Sequence, residues 1–304
     1  MFKEIDTIIH SAATTRFDER YDIAMNINVL GAFNVLKFAK RCANLKILVH
    51  VSTVITSTYK EPFPGWIEGI KTLDTYILVY GKGISNIFLA DPNTNADLIP
   101  GDMVVNSIFA AILAHENNKS SQNHFIYHIG SSQKNPLKYD DIKLFTHHYF
   151  TKNPWIDKDG NIIKAKEILQ LANILSWYYF IDETYKNLKR KIDRAIRLSE
   201  LYEPYTIFHG SFDDSNTERL RMAMKECKMD DVLQFDSSCI NWEDYFMNTH
   251  IPGVLGVTRK PNFQEKVDRK KQFLKTKVNL RIPYMNKRYP YYDDNEYWID
   301  KSMK

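Results

Sequence analysis

Short apolar runs and a helical stretch alternate over the first fifty residues. Residues 6–13 form an apolar run that ends in small side chains, the pattern of a buried parallel strand. Between Tyr21 and Ala43 the apolar positions recur at helical spacing, and cationic side chains occupy the last turns. Residues 46–53 form a second apolar run, ending in hydroxyl residues. Strand, helix and strand in this order predict a βαβ unit with parallel strands.

The pattern becomes less regular after this unit. Residues 55–69 are rich in proline and glycine and predict a loop. We predict a helix over residues 102–113, a strand over residues 124–129 and a helix from Asn135 through Phe145. Beyond Pro154 the pattern of apolar and polar residues changes. In residues 168–201 the apolar positions recur at the spacing of a helix.

These elements predict an α/β protein: a partial Rossmann-like parallel sheet followed by a mainly helical C-terminal domain. The expected domains are an incomplete dinucleotide-binding domain over residues 1–150 and a helical domain over residues 151–257. The remaining residues, 258–304, form a basic tail whose composition predicts disorder.

Charge separates the tail from the body of the chain. The net charge is +4, but from Arg259 onward there are 13 Lys and Arg against 6 Asp and Glu. A basic segment can bind nucleic acid or an anionic membrane surface. Here the charges are interleaved with Asp, Tyr and Pro, which favours a solvated tail and no nucleic-acid partner.

The cysteines and the hydropathy of the chain indicate its redox environment and whether it crosses a membrane. Three cysteines without a CxxC pair predict no structural disulfide and a reducing compartment. The longest apolar stretch, residues 168–181, is interrupted by polar residues and is shorter than the ~20 residues that span a bilayer. We therefore predict no transmembrane helix, and the N-terminus lacks the long apolar core of a signal peptide.

Several segments carry a family resemblance. They are AATTRFDERYD (12–22), INVLGAFNVLKFAKRC (27–42), KILVHVST (46–53), TSTYKEPFPGWIEG (56–69), YGKG (80–83), DMVVNSI (102–108), FTKNPW (150–155) and WEDYFMNTHIPGV (242–254). In these segments the chain resembles the plant alcohol-forming fatty acyl-CoA reductases. The pairing of PFPGW with DYF…HIPGV is the most specific part, whereas the tail from Gly256 onward does not resemble the family.

The resemblance implies an extended short-chain dehydrogenase domain with a helical C-terminal domain. Such enzymes use NADPH to reduce a long-chain acyl-CoA to a primary alcohol, in two hydride transfers through a bound aldehyde. It also implies a role in lipid and wax metabolism, and an intracellular place at the cytosolic face of the endoplasmic reticulum with possible peripheral membrane association.

Hydride transfer needs a cofactor held by its pyrophosphate, which in this fold lies on a glycine-rich turn after the first strand. None of the eleven glycines forms GxGxxG or GxxGxxG. Gly81 and Gly83 are the nearest approach, and they lack a third glycine. The chain also begins at what resembles the fourth strand of the family fold, so we expect the first mononucleotide-binding half to be missing.

The family's proton donor is a Tyr followed four residues later by a Lys. Three such pairs occur: Tyr139/Lys143, Tyr185/Lys189 and Tyr297/Lys301. None follows the strand ending at Thr53 by the ~30 residues that a loop and the next helix start would occupy. We interpret all three as chance matches.

A junction near Val54 and Ile55 explains this absence. In the family the strand ending in VST precedes a long segment carrying the Tyr and Lys, and ITST follows only later. Here VST-Val54 runs directly into ITST. We therefore predict an internal deletion at this junction.

Some family positions remain, and their roles are implied by the resemblance. Thr53 matches the hydroxyl that binds the substrate carbonyl, with Ser52 beside it; the alternative is an ordinary strand-end cap. Ala12 and Ala13 match the small-residue loop under the adenine ribose, and Asn28 matches a helix asparagine that supports the catalytic Lys. No metal site is predicted, because the His147–His148 pair, and His124 with His128, lack acidic or Cys partners at ligand spacing.

Two hypotheses remain open. The chain is a fatty acyl-CoA reductase in activity as well as descent, with NADPH and a long-chain acyl-CoA as its ligands. Alternatively it is a catalytically inactive fragment that binds acyl chains or an intact paralogue.

Overall fold

A computed structural model of the chain describes residues 2–14, 19–51, 55–115, 125–171, 206–207 and 209–258. The predicted helices within residues 172–201 and the basic tail lie outside this part. The C-terminal tail prediction therefore stays a prediction.

The predicted βαβ unit is present at the N-terminus. Strand β1 (Thr7–His10) pairs in parallel with β2 (Ile47–His50), with Thr7 opposite Ile47 and His10 opposite His50. The connecting helix, called the rod below, runs without a break through α1 (Tyr21–Ala24), a π-helical segment (Met25–Leu30) and α2 (Gly31–Ala39). The parallel pairing confirms the α/β class.

The central part of the chain supplies further strand and helix pairs. Strand β3 (Ile55–Thr56) pairs in parallel with β5 (Ile99–Pro100), which leads directly into helix α4 (Gly101–His115). Helix α3 (Thr72–Gly81) precedes β4 (Ile87–Leu89).

The next elements form the boundary region between the two predicted domains. Helix α5 (Tyr139–Lys152) is followed by an antiparallel hairpin of β6 (Trp155–Ile156) and β7 (Ile162–Ile163). Strand β8 (Leu169–Leu171) then pairs in parallel with β4.

Helices dominate the last described stretch. They are α6 (Ser215–Glu226), a short 3-10 turn (Ser237–Cys239), α7 (Trp242–Tyr245), a π-helical segment (Phe246–His250) and α8 (Ile251–Thr258). The Asn241 side chain caps α7 by accepting a hydrogen bond from the Asp244 amide at 3.0 Å. In the described part of the chain, no helix is long and apolar enough to cross a bilayer.

Two elements differ from the predictions. Residues 125–129 alternate like a strand but form none, because the rings of Phe125 and Tyr127 pack on His115 at the end of α4 instead of extending a sheet. The predicted helix from residue 168 is also wrong at its start, where residues 169–171 form β8. An apolar run of this length is ambiguous between helix and strand, and its pairing with the distant β4 decides the outcome.

The hydrophobic core lies almost entirely between residues 55 and 258. Its largest fully buried side chains include Tyr245, Phe150, Phe246, Ile77 and Ile99. Of the buried apolar residues in the described part, only Ala39 and Cys42 precede residue 52. The βαβ unit therefore contributes little to the core of the chain.

The rod of α1 and α2 carries apolar side chains on two faces. One face packs against β1, and Ala39 at the end of α2 is buried. The other face exposes Val29, Leu30, Phe33 and Leu36, each between 43% and 50% accessible. An exposed apolar face of this kind is available for contact with another segment or protein.

Candidate functional site

The Asn28 side chain links the π-helical segment to the loop that follows β1 through two hydrogen bonds. The Asn28 Oδ1 accepts a hydrogen bond from the Thr14 amide at 2.8 Å, and the Asn28 Nδ2 donates to the Thr14 carbonyl at 3.2 Å. Thr14 directly follows Ala12 and Ala13, which are exposed. The structure therefore brings three of the predicted cofactor-binding residues to one sheet edge, and the π-helical turn presents Asn28 to that loop.

The other two predicted residues, Ser52 and Thr53, lie outside the described residues. Their neighbours on both sides are placed. The Val51 amide donates a hydrogen bond to the His10 carbonyl at 2.9 Å, which continues the β1–β2 pairing, and the described chain resumes at Ile55 in β3. The predicted roles of Ser52 and Thr53 stay predictions.

Of the three Tyr-x-x-x-Lys pairs, only Tyr139/Lys143 falls in the described residues. Both lie on α5, where Lys143 forms an ion pair with Asp140. Burial raises the pKa of the Tyr139 hydroxyl to about 12. A proton donor in a dehydrogenase needs the opposite shift. The interpretation of this pair as a chance match stays a prediction.

The Gly81 and Gly83 pair is a helix end rather than a phosphate-binding turn. Gly81 is the last residue of α3, where a side chain would collide with the Phe150 ring, and Gly83 has a φ of +65° just beyond the helix. Both glycines are explained by packing and turn geometry. Among the residues that the structure describes, a small-residue loop and Asn28 are in place, but no glycine-rich turn follows a strand. These residues therefore do not fit a complete dinucleotide.

The two most specific family segments meet at their glycines. Gly65 of PFPGW has a φ of +81°, and Gly253 of HIPGV lies in α8 directly against it. A Cβ on Gly253 would stand 2.1 Å from the Gly65 carbonyl oxygen, and a Cβ on Gly65 would stand 2.7 Å from the Thr249 carbonyl oxygen. Only glycine permits this backbone approach, so the proline-rich loop and the C-terminal helix form one unit.

Beneath this contact lies a buried polar cluster of Ser57, Asp74, Tyr245 and His250. The Ser57 Oγ lies 3.0 Å from the His250 Nδ1 and 3.1 Å from the Tyr245 hydroxyl. The Tyr245 hydroxyl also donates to the Ser57 carbonyl at 2.6 Å. Burial raises the pKa of the Tyr245 hydroxyl well above its usual value, which keeps it a neutral donor.

The fourth member, Asp74, caps helix α3 and faces the imidazole. The Lys71 amide donates to the Asp74 Oδ2 at 2.8 Å, and the His250 Nε2 lies 3.2 Å from the Asp74 Oδ1. The Nε2 is within ion-pair distance but lacks the alignment of a hydrogen bond. The contact is therefore an electrostatic one between the imidazole and the carboxylate, and not an aligned hydrogen bond.

The order Ser57, His250, Asp74 resembles a hydrolase triad. However, Ser57 is only 1% exposed and its hydroxyl is engaged by His250 and Tyr245, so a substrate carbonyl cannot reach it. The cluster instead joins the loop after β3 to the C-terminal helices across 193 sequence positions. Its role is to hold the two family-specific segments together.

A second buried carboxylate shapes the same loop. Asp102, at the start of α4, accepts hydrogen bonds from the amides of Tyr59, Lys60 and Glu61, at 2.8, 2.7 and 3.0 Å. Three amides on one carboxylate fix the backbone that leads into the proline-rich segment.

We expect Asp102→Ala to lower the free energy of unfolding by about 2–3 kcal/mol, because three loop amides lose a charged acceptor. Urea denaturation measures this effect, and Asp231→Ala, at an exposed carboxylate, should change stability by less than about 0.5 kcal/mol. Equal stability of the two variants would contradict the assigned role of Asp102.

The histidines considered for a metal site have other partners. The Tyr80 hydroxyl lies 2.8 Å from the His147 Nδ1, and the His128 Nδ1 lies 2.8 Å from the Asp213 carbonyl. His124 lies outside the described residues. Within the described ranges, no group of three or more His, Cys, Asp or Glu side chains could hold a metal ion.

The fold combines an α/β part with a helical part, and the two are joined by a buried interface. Family models described as "Male sterility protein" match both parts. An NAD-binding model matches residues 1–62 and again 54–108, and a second model matches residues 168–257. Residues 1–108 are thus part of a nicotinamide-dinucleotide-binding domain.

Curated relatives agree with these matches. Fatty acyl-CoA reductase 1 of Arabidopsis thaliana is 37% identical over 380 residues, which cover 84% of this chain and 77% of that protein. An alcohol-forming fatty acyl-CoA reductase of Simmondsia chinensis is 33% identical over the same shares, and fatty acyl-CoA reductase 8 of Arabidopsis thaliana is also 33% identical. The chain belongs to the fatty acyl-CoA reductase family, a family of lipid metabolism.

Proposed function

We propose that this chain takes part in the NADPH-dependent, alcohol-forming reduction of long-chain acyl-CoA. Its relatives are named for this substrate, and one is named as alcohol-forming. The observation that carries the proposal is the Gly65–Gly253 contact, which assembles the two family-specific segments into one packed unit. In this proposal residues 55–258 hold the last part of the nucleotide-binding domain, up to residue 108, together with the substrate-binding part of the reductase. The reductase acts at the cytosolic face of the endoplasmic reticulum.

We further propose that the part of the reductase that binds the cofactor is incomplete in these 304 residues. The NAD-binding model matches in two pieces that overlap at residues 54–62, at the predicted junction. The alignment to the Arabidopsis relative runs over 380 residues, whereas 84% of 304 is only about 255 residues of this chain. Both observations support a deletion of the segment that carries the proton donor in relatives. We therefore propose that the chain alone does not complete hydride transfer.

A chimera tests whether residues 55–258 of this chain can support the formation of fatty alcohol. Residues 55–258 of this chain replace the corresponding C-terminal part of the Arabidopsis reductase, which keeps its own nucleotide-binding half and inserted segment. We expect the purified chimera to form fatty alcohol from NADPH and a long-chain acyl-CoA, measured by mass spectrometry of the product. Gly253→Leu in the same chimera is the matched control, since it separates the two segments.

A folded chimera that yields no alcohol would contradict the proposal. Circular dichroism and a cooperative melting transition establish that the chimera is folded before the assay is interpreted.

The second candidate function is that of a catalytically inactive chain that binds acyl chains or an intact relative. The exposed apolar face of Val29, Leu30, Phe33 and Leu36 favours it. In the structure this face is open to solvent, so it is available to contact another protein.

A binding experiment tests this candidate. We expect the 304-residue chain to co-elute with an intact plant reductase in size-exclusion chromatography, and Phe33→Glu with Leu36→Glu to abolish co-elution. Unchanged elution of both proteins as separate species would exclude this partner.

A further inference from the structure

Two histidines meet at the carboxyl end of the β1–β2 pair. His10 and His50 are the last residues of their strands and stand directly opposite each other in the parallel register. Their Nδ1 atoms are 2.8 Å apart, and their ring centroids are 4.9 Å apart. His10 is buried, whereas His50 is exposed and keeps one side of the pair open to water.

The distance between the two Nδ1 atoms indicates which coordination geometry a shared metal ion would have. Metal–imidazole bonds are about 2.0–2.1 Å long, so two nitrogens 2.8 Å apart subtend roughly 90° at a shared metal ion. A tetrahedral ion would need the nitrogens about 3.3 Å apart. An angle near 90° is that of neighbouring positions in a square-planar or tetragonal complex, which copper(II) and nickel(II) prefer.

We propose that His10 and His50 form a binding site for a divalent metal ion of this tetragonal class, copper(II) or nickel(II). Both Nδ1 atoms are ligands, and water fills the remaining positions on the side that the exposed His50 leaves open. Both rings turn slightly so that their lone pairs converge on the ion instead of on each other.

Metal binding to the two neutral imidazoles requires no net gain or loss of protons. In the metal-free pair, one neutral ring donates its Nδ1 hydrogen to the other ring's Nδ1. On metal binding that donor ring changes tautomer and carries its hydrogen on Nε2, through exchange with water. No net proton is released, and both Nδ1 lone pairs become ligands.

Three other described histidines have partners elsewhere. His147 and His128 bind a tyrosine hydroxyl and a backbone carbonyl, and the His115 Nε2 lies 2.6 Å from the Tyr127 hydroxyl. His148 is exposed and lies on α5, away from this edge. It is therefore a suitable control for adventitious binding to a surface histidine.

Titration of the untagged, EDTA-treated 304-residue chain with copper(II) tests the proposal by calorimetry and electron paramagnetic resonance. We expect one ion per chain, with a tetragonal spectrum that shows coupling to two nitrogens. His10→Asn and His50→Asn should each weaken binding at least about tenfold, since changes in outer-shell partners alone reach that size. His148→Asn should leave the affinity unchanged.

Absence of binding, or equal binding in the wild-type chain and both His10→Asn and His50→Asn, would overturn the proposal. An intense tetrahedral spectrum with cobalt(II) would overturn the assigned geometry. His50→Asn keeps the test decisive if His10→Asn fails to fold, because His50 is exposed.

Discussion

Gly253→Ala should lower the free energy of unfolding by about 3 kcal/mol. The added Cβ would stand 2.1 Å from the Gly65 carbonyl oxygen and 2.9 Å from its carbonyl carbon. These are backbone atoms, which cannot rotate away as a side chain can. Alanine improves helix propensity in α8 by about 1 kcal/mol, but overpacking against backbone costs more, so the steric effect decides the sign.

Gly69→Ala is the matched control for this prediction. A Cβ at Gly69 meets no atom within 4 Å, so its stability should stay within about 0.5 kcal/mol of the wild type or rise slightly. Urea denaturation followed by circular dichroism gives both values. A Gly253→Ala variant as stable as Gly69→Ala would mean that the proline-rich loop and α8 do not touch.

His250→Ala should lower the free energy of unfolding by about 3–5 kcal/mol. The imidazole is fully buried, and its removal leaves Asp74 as a buried carboxylate without its partner and Ser57 without one hydrogen-bond partner. Breaking a buried pair on one side is costly because the remaining charge stays desolvated. The cavity left by the ring adds to this loss.

A double-mutant cycle separates the pair from the cavity. Asp74→Asn combined with His250→Ala should destabilise the chain by less than the sum of the two single changes, with a coupling of about 1–3 kcal/mol. His148→Ala, at an exposed histidine, should have almost no effect. A coupling near zero would show that Asp74 and His250 do not interact.

The sequence predicted the N-terminal unit well because each of its elements has one clear periodicity. The apolar runs around Ile8 and Val49 pair in parallel, and the helix between them spans residues 21–39. The π-helical turn at Asn28 was not predicted, since no side-chain pattern distinguishes it from an α-helix.

Long-range contacts explain what the sequence could not predict. Asp74 and His250 are ordinary residues in their own segments and become a pair only when α3 and the C-terminal helices pack together. The Gly65–Gly253 approach leaves no hydrophobic pattern at all, because neither residue has a side chain. His10 and His50 offered a usable signal: both lie inside predicted parallel strands, and the parallel register places them side by side.

The candidate site was predicted in part. Asn28 and the Ala12–Ala13 loop come together at one edge, although their cofactor-binding roles stay predictions. The interpretation of the Tyr139/Lys143 pair as a chance match stays a prediction; burial raises the pKa of the Tyr139 hydroxyl, which is consistent with it. Ser52 and Thr53 stay predictions.

Calorimetric titration of NADPH into the purified 304-residue chain tests the central claim most directly. No glycine-rich turn follows a strand in these residues to hold the pyrophosphate, so we predict no saturable heat at NADPH concentrations that saturate the intact Arabidopsis reductase under the same conditions. Stoichiometric binding of NADPH to this chain would contradict the claim that its cofactor side is incomplete.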